Sequence, residues 1–226
     1  MALLFSNITT AEFLTPILLS LRVAVIALAI VVVSATVIAK FMAHARFKGK
    51  IIVETFLMLP LVLPPTVVGF LLIIIFGSNG FAGEIIRMVF NETVMFTWYG
   101  AVIASSVVAF PLMYQSAKAG FLSVDKDIEN AARVDGAGEF QVFMRVTIPM
   151  AATSLVTGAL LSFARAIGEF GATLMIAGNI PGRTQTLPTA IYVAMQGNNM
   201  ILAWAWVITI IVISFVMLLF VRLKSQ

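Results

Sequence analysis

Three observations on this sequence predict an all-α membrane protein, a polytopic bundle of about five transmembrane helices. Of its 226 residues, 61% are hydrophobic and only 11% charged, and the mean hydropathy is +1.08. An average soluble chain is about a quarter charged, so a folded monomer of 24.4 kDa has too little polar surface for water and needs a bilayer as its solvent. Apolar stretches of the roughly 20 residues that a hydrocarbon core requires recur along the chain. Lysine and arginine gather in alternate connections, as in a chain threaded back and forth through a membrane.

The first span runs from about Ile17 to Met42, the second from Val53 to Phe76, the third from Trp98 to Ala117, and the fifth from Met200 to Val221. The fourth, from Pro149 to about Ile176, is as long but contains Arg165 and Glu169. The N-terminus has no basic n-region and the first apolar run is too long for a signal-peptide core, so this span is expected to stay attached. Lys40, Arg46, Lys48 and Lys50 follow span one, Lys118, Lys126, Arg133 and Arg145 follow span three, and Arg222 and Lys224 follow span five. The opposite connections hold only Arg87 and Arg183. This asymmetry puts the first set in the cytoplasm, with the N-terminus outside and the C-terminus inside. Trp98, Tyr99, Trp204 and Trp206 then fall at the external interface as aromatic anchors, and Arg22 is expected to snorkel there.

Composition removes most other functions. Without cysteine and with a single histidine, His44, the chain offers no disulfide, thiolate, iron–sulfur or multi-histidine metal centre, and no metal site is expected. The net charge of +4 comes from short loop clusters without interleaved aromatics, so no nucleic acid is implied. Asn-x-Thr matches at Asn7 and Asn91 are read as chance. No internal repeat is visible, and the chain, 1–226, is expected to form a single transmembrane domain with its core at about 17–221.

One cytoplasmic segment, at about 123–145, is the only sizeable polar stretch. Ser123 is placed to cap a helix whose first turn carries Asp125 and Asp127, where carboxylates suit the positive end of the dipole. Glu129 and Arg133 are spaced to pair at i, i+4. Gly136 and Gly138 end that helix, and Glu139 to Met144 form a second short one with Phe140 and Phe143 on one face. Packing under the membrane surface is the alternative explanation for its apolar residues.

The segment reads Asn130-Ala131-Ala132, three residues, Gly136, nine residues, then Val146-Thr147-Ile148-Pro149. It resembles the cytoplasmic loop of ABC-importer permeases, Glu-Ala-Ala, three residues, Gly, nine residues, Ile-x-Leu-Pro, and departs from it at Asn130, Val146 and Ile148. Glu129, one place earlier, is expected to supply the missing carboxylate. Further segments are Leu59-Pro60-Leu61-Val62-Leu63-Pro64-Pro65 in span two, Ser162-Phe163-Ala164-Arg165-Ala166-Ile167-Gly168-Glu169-Phe170-Gly171 in span four, and Asn179-Ile180-Pro181-Gly182 beyond it. Together they resemble the molybdate permease subunits of type I ABC importers over about Ile17 to Val221, with tungstate and sulfate permeases as close relatives.

The resemblance implies a permease domain in a bacterial or archaeal plasma membrane, working as a homodimer. It further implies two cytoplasmic ABC ATPase subunits gripping coupling helices around Glu129, Asn130, Ala131, Ala132, Gly136 and Pro149, and an extracytoplasmic oxyanion-binding protein. ATP and Mg would sit on the partner ATPase, since Gly49-Lys50 lacks the rest of a phosphate loop and the chain itself is expected to bind no cofactor. No catalytic residue is expected. A membrane enzyme using Arg165, Glu169 and Asp135 is disfavoured because nothing in the sequence brings them together, and a non-transporting scaffold or sensor remains the rival reading.

Two spans carry candidates for the pathway or its gate. Pro60, Pro64 and Pro65 remove backbone donors and free the carbonyls of Phe56, Pro60 and Leu61, which breaks span two either beside a water-filled cavity or as a packing kink. On span four, Ser154, Gly158, Ser162, Arg165, Glu169 and Thr173 fall within an arc of about 100° on one helix. Such a stripe suits a pore, or equally a helix–helix interface. Arg165 follows Pro149 by sixteen residues, about 24 Å along a helix. Glu169 one turn on neutralises it, either as an inert lock or as part of an external gate.

Overall fold

The computed structural model describes residues 10–224, so Asn7 lies outside the described residues. Helix α1 spans Thr10–His44, α2 Lys50–Val62, α3 Pro65–Phe76, α4 Phe81–Phe90, α5 Trp98–Ser123 and α6 Lys126–Val134. A helical run Glu139–Met150, α7, follows, then α8 at Ala152–Ile167, α9 at Gly171–Ala177, α10 at Leu187–Gln196 and α11 at Met200–Lys224. Three helices, α1, α5 and α11, are long and apolar enough to cross a membrane, and five spans result if the bent pairs α2/α3 and α7/α8 each count as one. No strand occurs among the described residues. Large apolar side chains such as Val33, Phe41, Ile52, Phe70 and Phe215 stand exposed on the outside, as lipid permits.

Helix α5 is the centre of the bundle. On α1, a stripe of Ser20, Ala24, Ala27, Val31, Ala35 and Ala39 is buried, and its three- and four-residue spacing is one face of a helix. Ala101, Ala104, Ser105, Ala109 and Ala117 of α5 are buried with it, and small residues on both sides let the two backbones approach closely. Helix α8 packs on α5 by the same means: a Cβ on Gly158 would stand 2.6 Å from Ser116 Cβ, and one on Gly120 2.7 Å from Ser154 Cβ.

Span two breaks once, at Leu63 and Pro64, and its halves are bent by 116°. A residue before proline is pushed out of the α region, and both Leu63 (ψ 142°) and Pro64 (ψ 137°) are extended. Pro65 then opens α3, where a missing N–H costs nothing. Pro60 stays inside α2, so of the three prolines only the adjacent pair makes the break. Helix α3 returns against α9, where a Cβ on Gly69 would meet Met175 Cβ at 2.7 Å.

Span four departs from the expected continuous helix at both ends. Helix α7 meets α8 at a 74° bend, so Arg165 lies thirteen residues beyond Ala152, about 20 Å along α8 and not 24 Å from Pro149. Helix α8 then stops at Ile167 and α9 starts at Gly171, which puts Glu169 and Thr173 beyond the helix that carries Arg165. Helices α4 and α10 lie in connections read as loops; α10 is tied to α1 by the Leu187 N–H donating to Ser20 Oγ at 2.6 Å. The Arg22 Cζ lies over the Trp98 ring, 3.9 Å from its centre, a cation–π contact between spans one and three.

Candidate functional site

The two broken spans meet at their breaks. A pocket of about 360 Å³ is lined by Pro65 and Thr66 from the start of α3 and by Arg165, Gly168, Glu169, Phe170 and Gly171 from the α8/α9 junction. The backbones approach so closely that a Cβ on Gly171 would stand 2.9 Å from Pro65 Cβ. Arg165 Nη1 donates to Glu169 Oε2 at 2.6 Å, and the Ala172 N–H donates to Glu169 Oε1 at 2.8 Å. Glu169 is 2% exposed. Both its oxygens are therefore used: one neutralises the arginine, and the other satisfies a donor at the start of α9 that would otherwise be orphaned.

The rest of the small and polar stripe faces α5. Ser162 is fully buried and donates to the Ala109 carbonyl at 3.1 Å, and Ser154 lies against Gly120. Thr173 is fully buried, and its hydroxyl has no hydrogen-bond partner among the described residues. Within one chain, Ser154, Gly158 and Ser162 are thus occupied by helix contact, while Arg165 and Glu169 border open space beside Pro65. Pro64 caps α3 at the same break, and Pro60 lines a separate apolar cleft between α1, α2 and α5.

At the other end, the segment between α5 and α8 folds as two short helices. Asp125, not Ser123, caps α6, accepting from the Asp127 N–H at 2.9 Å; Ser123 ends α5 and donates to the Gly120 carbonyl. Gly136 turns the chain at φ +89°, a conformation that favours glycine. Arg133 pairs with Glu139 at 2.6 Å and closes the turn. Asn130, Ala131, Val134 and Phe140 are exposed, whereas Phe143 packs edge-on against Phe121, so Phe140 and Phe143 do not share a face. Pro149 is exposed near the 74° bend.

Glu129, expected to stand in for the family's carboxylate, is turned inward and 6% exposed. Its Oε1 accepts from Thr147 Oγ1 at 2.5 Å and from Lys40 Nζ at 3.2 Å, and Arg133 lies 3.7 Å from Oε2. Burial alone would raise its pKa. Hydrogen bonds from Thr147 and Lys40, with the charges of Lys40 and Arg133, outweigh that and hold it below the ordinary glutamate value. Sequence reasoning missed Lys40 and Thr147 as its partners, since 89 and 18 residues separate them from it. It also missed Glu54, which receives Lys118 Nζ at 2.5 Å and joins α2 to α5. A lone carboxylate in an apolar span was the available signal.

The chain is 59% identical over 225 residues to the Bacillus subtilis (strain 168) permease protein YvgM, covering 100% of this chain and 99% of that one. It is 42% identical over 180 residues to the molybdenum transport system permease protein ModB of Escherichia coli (strain K12), 80% of this chain and 79% of that one. In fold it is similar to a chain of a bacterial ABC transporter involved in alginate import (TM-score 0.75, 18% identity, 96% of this chain and 80% of that chain). It is similar also to a chain of the inward-facing MetNI methionine ABC transporter (TM-score 0.65, 14% identity, 95% of each). The bent spans, the central α5 and the two-helix loop are thus the fold of ABC-importer membrane subunits. The family model for the binding-protein-dependent transport system inner membrane component matches residues 35–226, and the chain belongs to that family.

Proposed function

We propose that this chain is the permease subunit of an ATP-driven importer that carries molybdate, or a similar tetrahedral oxyanion, into the cytoplasm. The observation that carries the substrate is its 42% identity with a molybdenum permease over 80% of its length. Two copies enclose the pathway, two ATPase subunits holding ATP and Mg grip the loop at 123–145, and an extracytoplasmic binding protein delivers the anion. Asn130, Ala131 and Val134 are the exposed, mostly small face of α6 available to an ATPase groove.

ATP-driven closure of the ATPase pair pushes the loops, and the spans exchange an outward opening for an inward one. The Arg165–Glu169 pair sits where the breaks of spans two and four touch. Discontinuous helices meeting at a charged pair suit a gate, because backbone freed at the breaks tolerates rearrangement next to a cavity. We assign the pair, with Pro64 and Pro65, to the outer gate. The N-terminus is external and the C-terminus cytoplasmic in this reading, which the lysine and arginine distribution supports.

The test is uptake of radiolabelled molybdate into proteoliposomes containing the permease, its ATPase and its binding protein. Uptake that requires ATP and the binding protein is the expected result. Absence of ATP-dependent molybdate uptake, with another cargo carried instead, refutes the substrate; absence of ATPase association refutes the permease role.

A further inference from the structure

The polar loop is held to the spans by one buried junction. Glu129 of α6 reaches Lys40 in the last turns of α1 and Thr147 in α7, immediately before span four, through the same carboxylate oxygen. Thr147 is 1% exposed and belongs to a π-helical turn, Phe143–Thr147. An extra residue in a turn displaces the side chains that follow it, and such turns recur at functional sites. The Lys40 ammonium lies 5.3 Å from the Phe143 ring centre and 6.0 Å from that of Phe121. Three chain segments therefore converge on a single carboxylate over an aromatic floor. The neighbouring Arg133–Glu139 pair has side chains 34% and 77% exposed, and an ion pair so open to water contributes little.

We infer that Glu129 is a positioning residue that clamps helix α6 to spans one and four together, so that a displacement of the loop moves both spans at once. The inference rests on the coupling role proposed for this loop. The exposed residues of α6 meet the partner, and the buried carboxylate behind them transmits the motion through contiguous hydrogen bonds to two discrete elements. A helix attached only by its own connections would rotate or slide under load. With Lys40 and Thr147 both bound, it cannot leave either segment without breaking a charge-assisted hydrogen bond.

The clamp is tested in the reconstituted complex by counting ATP hydrolysed per molybdate imported. Glu129→Gln and Thr147→Val should still co-purify with the ATPase, while the ratio rises about tenfold, the size of losing one charge-assisted hydrogen bond. Thr147→Ser keeps the hydroxyl and should restore the wild-type ratio, which a merely volumetric role at this site would not require. Amide exchange of residues 126–147 in the purified permease gives a second readout independent of cargo, expected to be about tenfold faster in Glu129→Gln. An unchanged ratio, unchanged exchange, or loss of ATPase co-purification in Glu129→Gln overturns the clamp. If the wild-type complex fails to import molybdate, the substrate assignment falls instead, and the exchange measurement alone decides the clamp.

Discussion

Replacing Glu169 by glutamine probes the outer junction most directly. The new carboxamide oxygen can still accept the Ala172 N–H now held at 2.8 Å, but its amino group then faces the Arg165 guanidinium that is now 2.6 Å from Oε2. Donor meets donor, and an arginine loses its counter-ion beside a residue only 2% exposed. Breaking a fully buried ion pair costs about 3–5 kcal/mol. The Arg165 side chain is 30% exposed, so water recovers part of that, and we expect about 2–3 kcal/mol, the strength of a hydrogen bond to a charged group. At about 1.4 kcal/mol per tenfold, the balance between closed and open outer gate shifts by roughly 30- to 150-fold. The assay is ATPase activity in proteoliposomes with and without binding protein. Glu169→Gln should raise basal hydrolysis and depress its stimulation, and Arg165→Met added to it should recover part of the loss. Single-variant effects that add to within about 0.5 kcal/mol in the double variant would show that the two groups act independently and refute the paired gate.

Gly136→Leu places a side chain at φ +89°, where nothing lies within 4 Å of its Cβ, so the damage is backbone strain of about 1–2 kcal/mol; transport should fall with the permease still in the membrane, and normal uptake would contradict this. Gly158→Leu drives a side chain into Ser116 at 2.6 Å, and we expect loss of folded permease on size-exclusion chromatography, with Gly158→Ala intermediate. Because the Glu129 pKa is depressed, the stabilisation it provides is complete above the ordinary glutamate value and is lost as pH falls through the lower, folded-state value. With Lys40, Arg133 and His44 around it, the ATP-to-molybdate ratio should stay flat from about pH 8 to about pH 5.5, and a rise within that range would place its titration higher. Molybdate and tungstate should be imported comparably and sulfate poorly, and exchange of the binding protein for a docking-competent one of other preference should change the cargo; selectivity unchanged by the exchange would make the permease the filter.

Much of the architecture was legible from local physics. Apolar length marks a span because a bilayer core has a fixed thickness, and the third and fifth spans begin where the sequence placed them, at Trp98 and Met200. The Leu63-Pro64-Pro65 break follows from the missing donors and from the restriction on a residue before proline, both written in the residues themselves. The glycine turn at Gly136 and the Glu129–Arg133 spacing are equally local.

Direction and distance were not local. An arc of small residues on span four has the same pattern whether it lines water or another helix, and only packing against α5 consigns Ser154, Gly158 and Ser162 to contact. The bends of 116° and 74° set which breaks touch, and so bring Pro65 beside Arg165 and Glu169. In sequence, Glu129 reads as a stand-in for the family's docking carboxylate because it lies one place before Asn130, where the family pattern has glutamate. It is buried because Lys40 and Thr147, distant in the chain, arrive on the same side of α6 to satisfy it. The sequence by itself determined the solvent, the spans and the proline break of span two, since these depend on neighbours within a few residues. Which polar groups face one another was decided by the tertiary structure, because a buried charge persists only where remote chain segments supply its partners.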